Sequence, residues 1–93
     1  MADIEVKTTE HDDRYEFQVT VKDGRGETRH RVTLQKADYE QLVGDKASPE
    51  ALVRESFGFL LEREPKESIL RSFDLMVIGR YFSEYKREIV KRL

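Results

Sequence analysis

The hydrophobic residues of this chain change period part-way along it, and that change constrains the fold more than any other feature. From Tyr15 to Leu34 apolar side chains recur at every second position; from Leu52 to Leu61 they recur at helical spacing. A period of two lines one face of a strand, and a period of 3.6 lines one face of a helix. The pattern predicts a twisted hairpin followed by amphipathic helices that cover its apolar face.

The strand phase predicts a register. Tyr15, Phe17, Val19 and Val21 share one face, and Asp23-Gly24-Arg25-Gly26 supplies the glycines of a tight turn. A turn centred on Gly24-Arg25 places Val21 opposite Thr28, Val19 opposite His30, Phe17 opposite Val32 and Tyr15 opposite Leu34. A slip of one residue would bury Arg29 and Arg31, at high cost. The other face then carries Gln18 and Thr20 beside Arg29 and Arg31. Residues 2–8 read as a further strand, with Val6 near Phe17. The expectation is an α+β domain: a three-stranded antiparallel meander over residues 1–34, leaving the Glu27–Leu34 edge exposed, with helices over residues 35–93.

Helical punctuation is clear in places. Lys36 to Val43 predicts a short helix, with Tyr39, Leu42 and Val43 inward and Gly44 as its stop. Ser48-Pro49-Glu50 is a helix start: an N-cap, a proline at the first helical position and an acid in the first turn. The helix it opens carries Leu52, Val53, Ser56, Phe57, Leu60 and Leu61 on an arc about 180° wide, too broad for a helix with one neighbour. Pro65 ends it. Asp74 reads as a second N-cap, from which a helix could run to the C-terminus. Leu75, Ile78, Phe82, Tyr85, Ile89 and Leu93 then form a seam at spacings of three and four, suited to pairing with another chain. A strand over Phe73 to Tyr81 is the alternative reading, since Met-Val-Ile tolerates the β region.

Composition narrows the function. The chain has 93 residues, 39% of them charged, and no cysteine. A domain this small has a thin core, which favours oligomerisation. Disulfides and thiolate metal sites are excluded. No apolar run approaches the length of a membrane span, and no secretory leader is read at the N-terminus, so a cytoplasmic location is expected. Net charge is −2, with acidic and basic stretches alternating along the chain.

Candidate sites are few. His11-Asp12-Asp13 lacks the spacing of a metal site and reads as a polar turn. His30 faces inward without a recognisable catalytic partner. No glycine-rich phosphate loop or nucleophile–histidine pattern occurs, so no catalytic residue, cofactor or metal is assigned. Two basic groups stand out. Arg14, Lys22, Arg25, Arg29 and Arg31 cluster on the hairpin, where arginines also discourage sheet-to-sheet aggregation. Arg80, Arg87 and Lys91 line the predicted last helix opposite its seam, while Lys86 and Arg92 flank the seam.

The stretch Ser48-Pro49-Glu50, then Phe59-Leu60-Leu61-Glu62-Arg63-Glu64-Pro65-Lys66-Glu67-Ser68-Ile69-Leu70, then Phe73-Asp74-Leu75 and Tyr81-Phe82, resembles a group of short bacterial proteins of unnamed function. With the hairpin included, the resemblance covers most of the chain, and it implies no activity, ligand or catalytic residue. The order of a β-hairpin followed by an amphipathic helix is also similar to HicB-type antitoxins, a likeness of element order without a motif. The leading expectation is a small non-catalytic interaction module, homo-oligomeric or bound to another protein. The alternative is a nucleic-acid-associated regulator using Arg29, Arg31, Arg80, Arg87 and Lys91.

Overall fold

A computed structural model describes residues 2–93. Three long strands form an antiparallel meander: β1 (Asp3–Glu10), β2 (Arg14–Asp23) and β3 (Gly26–Gln35). The hairpin has the register that its hydrophobic pattern predicts: Val21 pairs with Thr28, Val19 with His30, Phe17 with Val32 and Tyr15 with Leu34. Asp23 pairs with Gly26, leaving Gly24 and Arg25 as the loop. Gly26 has φ 126°, a conformation that side chains rarely adopt. The first strand begins near the expected place but its pairing is offset by two residues: Val6 lies opposite Val19, and Thr8 takes the place opposite Phe17. The length of the connecting turn at His11–Asp13 sets that offset. Hydrophobic periodicity does not report it, because either pairing keeps Val6 on the same face.

Helix α1 (Lys36–Leu42) follows directly and ends as Gly44 turns left-handed, with Tyr39 and Val43 buried. Helix α2 (Pro49–Leu61) opens on the predicted cap, where Ser48 Oγ accepts from the Ala51 N–H at 3.1 Å. Its buried face holds Leu52, Val53, Ser56, Phe57, Phe59 and Leu60. The breadth of that face has the anticipated cause: α2 lies against β1 on one side and against the last helix on the other. Burying a side chain such as Phe57 stabilises the fold by about 1.5–3 kcal/mol.

After α2 the structure departs from expectation. A 3-10 turn at Lys66–Ser68 leads into a fourth strand, β4 (Ser72–Asp74), which pairs parallel with β3. The sheet is therefore four-stranded and mixed, in the order β1-β2-β3-β4. The division into a β part before residue 34 and a helical part after it does not hold, since β4 lies well inside the second part. Nor is the Glu27–Leu34 edge wholly open: Arg31, Val32 and Thr33 are paired with Ser72, Phe73 and Asp74.

The single terminal helix is likewise replaced by pieces. Asp74 does cap, accepting from the Met76 N–H at 3.0 Å, but what it caps is a 3-10 turn, Leu75–Val77. Helix α3 (Ile78–Tyr81) is one turn long, Phe82 is extended (φ −128°, ψ 101°), and α4 (Tyr85–Arg92) completes the chain. The break at Phe82 lets two rings meet Phe59. Phe82 sits edge-on at 5.8 Å and Tyr85 at 5.3 Å between centroids. Arg63 and Arg92 approach the same ring as cations, and Arg92 also reaches Glu62 at 2.5 Å.

Candidate interaction surfaces

Most apolar side chains of the C-terminal segment are used inside the molecule. Leu75, Ile78, Tyr85 and Ile89 of the predicted seam are buried in the chain's own core, while Phe82 and Leu93 are partly buried against it. Tyr85 is fixed by more than packing. Its hydroxyl lies 2.6 Å from Ser56 Oγ, which also donates to the Leu52 carbonyl. Burial pushes the Tyr85 phenol well above its ordinary range. In this fold the seam is therefore turned towards α2 and not outward.

What remains exposed is concentrated elsewhere. Two large hydrophobic side chains stand out, Leu70 at 48% exposure and Tyr81 at 70%. Both line one apolar groove of about 340 Å³, floored by Leu60, Ile69, Phe73 and Ile78 and bordered by Glu64 and Ser68. The groove adjoins β4, an edge strand of the sheet. The Arg31 N–H donates to the Arg71 carbonyl. In a parallel ladder with that phase the N–H and C=O of Ser72 point away from β3, towards the free edge. An unpaired strand edge beside exposed apolar surface is a combination that pairs readily with another chain.

Two buried polar groups hold the walls of this region. His30 is 3% exposed and stacks against Phe57 at 5.3 Å. Its Nδ1 lies 2.8 Å from the Leu70 carbonyl, which can only accept, so Nδ1 carries the proton; Nε2 then accepts from the Thr28 hydroxyl, also at 2.8 Å. Burial lowers the pKa of His30, keeping the ring neutral. The inward histidine of the sequence reading is thus a tie between β3 and the groove rim, and the one hydroxyl it holds, that of Thr28, is itself buried at 4% exposure. Lys66 is the second tie. Its side chain is 2% exposed and its Nζ reaches Glu67 at 2.5 Å and Asp23 at 2.9 Å, joining the hairpin turn to the 3-10 turn. The Glu67 carboxylate, then Asp23, raises its pKa.

The predicted basic residues do not form one constellation. Arg29 and Arg31 lie together on the outer face of the sheet, across from Thr20 and Gln18 as expected. Lys7, Lys22 and Arg71 join them around a shallow concavity. Arg80, Arg87 and Lys91 are exposed on α3 and α4, in the helical layer on the other side of the sheet. Arg14 pairs with its neighbour Asp13. His11 Nε2 faces Glu16 Oε1 at 3.6 Å, and among the described residues no three metal-ligating side chains converge.

Leu70, Tyr81, Lys66, Lys7 and Arg71 escaped the sequence reading. Tyr81 carried a usable signal, since it falls just outside the arc of the seam. Lys66 carried none, because its burial depends on a turn more than forty positions away in sequence. No known family model, curated protein or solved structure matches this chain.

Proposed function

We propose that this chain is a small non-catalytic interaction module that associates with a second copy of itself through the groove between Leu70 and Tyr81. The observation that carries the reading is that the two most exposed large hydrophobic side chains rim the same groove. Isolated exposed apolar residues are ordinary; a pair framing an apolar floor is the anatomy of a contact site. Self-association is favoured by the neighbouring free edge of β4. An isologous contact would pair two such edges about a twofold axis and bury both grooves at once.

Sedimentation across micromolar to millimolar concentration tests this. The wild-type chain is expected to dimerise with rising concentration. The Leu70→Ser/Tyr81→Ser variant, changed only at exposed positions, is expected to stay monomeric with an unaltered circular dichroism spectrum. A wild-type monomer throughout, or a dimer indifferent to the double substitution, overturns the reading.

A further inference from the structure

The opposite layer of the molecule has a different chemistry. We propose that the outer face of the sheet binds the phosphodiester backbone of a nucleic acid without reading its bases. The concavity on this face is bounded by five cationic side chains, Lys7, Lys22, Arg29, Arg31 and Arg71, against Glu5 and Glu27 in its lining and Glu16, which holds Arg31 from beside it. The excess is local, because the chain as a whole carries −2.

The arrangement suits a chain of anions. Arg29 and Arg31 alternate along β3 and so project from one face about 7 Å apart. Gln18 lies across from Arg31 and Thr20 across from Arg29, placing neutral donors between the cations of β3 and Lys7 of β1. Guanidinium groups match phosphate oxygens bidentately.

Some of these cations already have partners. Arg31 meets Glu16 at 3.0 Å, Arg29 meets Glu27 at 3.1 Å and Lys22 meets Glu5 at 3.4 Å. The Arg29 side chain nonetheless stays 81% exposed, and pairs as exposed as Arg29–Glu27 and Lys22–Glu5 contribute little and rearrange readily, whereas Glu16, 20% exposed, grips Arg31 through both its oxygens. Lys7 and Arg71 have no ion pair among the described residues.

The composition of the face selects the partner. It displays no aromatic side chain, so it lacks the stacking platform of a single-strand binder and the aromatic anchors that carry most protein interfaces. A polyanion needs neither, because counterion release alone drives its binding. An acidic protein segment is the competing occupant, and it would lack the apolar contacts that make such complexes specific.

The test is fluorescence anisotropy of the full chain with a labelled mixed-sequence duplex, beside a labelled polyglutamate peptide. Duplex binding is expected with a dissociation constant of about 1–100 µM at physiological salt, and the affinity should weaken log-linearly as salt rises from about 50 to 200 mM. Arg29→Gln/Arg31→Gln should reduce the salt slope by about two, and Lys7→Gln/Arg71→Gln should do the same from the other side of the patch. Arg87→Gln/Lys91→Gln, on α4, should leave the slope unchanged. Absence of duplex binding at about 50 mM salt, or equal weakening by the α4 variant, overturns the proposal. Binding of polyglutamate without the duplex also overturns it, in favour of an acidic protein partner.

Discussion

The meander and the segment after Pro65 are built from equally patterned sequence, yet one folds as its pattern reads and the other does not. In the meander each strand pairs with the next in sequence, and the short turns at His11–Asp13 and Gly24-Arg25 set the register. The segment from Lys66 to Leu93 has no sequential partner. It passes through two 3-10 turns, a three-residue strand, two short helices and an extended break. Its conformation at each point follows from what it touches: β3 at Phe73, Phe59 at Phe82 and Ser56 at Tyr85. Periodicity is dependable where contacts are local, and becomes ambiguous where a segment must fit a surface formed by distant residues.

The comparison can be broken by testing whether both regions belong to one cooperative core. Phe17 in β2 and Tyr85 in α4 are both fully buried. Truncating either to alanine is expected to cost about 3–5 kcal/mol in urea denaturation, the range for large aromatic side chains. A Tyr85→Ala cost below about 1 kcal/mol, beside a full Phe17→Ala cost, would make the C-terminal segment peripheral to the fold.

A finer test sets a legible feature against an illegible one. Ser48→Ala removes a cap that three consecutive residues announce, and should cost about 1 kcal/mol. Tyr85→Phe removes one hydrogen bond to Ser56, whose hydroxyl keeps its bond to the Leu52 carbonyl, and should also cost about 1 kcal/mol. Equal costs by thermal melting would mean that local and tertiary polar contacts count alike here; a neutral Tyr85→Phe would mean that packing alone holds α4.

The smallest effect is a slope with pH. His30 is held neutral by burial, so its folded pKa lies below the ordinary 6.5. Protonation therefore favours the unfolded chain. The contribution is fully present above pH 6.5 and is lost as pH falls from there towards the folded pKa. The lowered carboxylates Glu16, Asp23, Glu62 and Glu67, with ordinary values of 4.5 or 3.8, lose their contribution only at more acid pH. Urea midpoints are expected to decline between about pH 6.5 and pH 5 in the wild type and to stay flatter in His30→Gln. Parallel curves would remove His30 from the link between β3 and the groove rim.

Much of the fold was open to reading from residue order. Alternation from Tyr15 to Leu34 defined the hairpin and its register, and put Arg29 and Arg31 outside and His30 inside. Ser48-Pro49 marked the start of α2, and the width of its apolar arc implied two neighbours. These features rest on interactions within a strand, a turn or one helix, where a residue's neighbours in sequence are its neighbours in space. The candidate sites were less open. Arg29 and Arg31 were visible as a pair, but their grouping with Lys7 and Arg71 required β1 and β4 to flank the hairpin.

Tertiary structure decided the rest. It broke the terminal helix at Phe82, turned the Leu75–Ile89 seam inward and made the short β4 from Ser72–Asp74, at the start of the alternative strand over Phe73 to Tyr81, whose remainder is helical. The reason is energetic. A helix of only a few turns has little stability of its own, so a short amphipathic stretch adopts whatever backbone buries its apolar side chains best. The Phe59 ring and the edge of β3 set that choice, and they leave Leu70 and Tyr81 exposed on the rim of the groove.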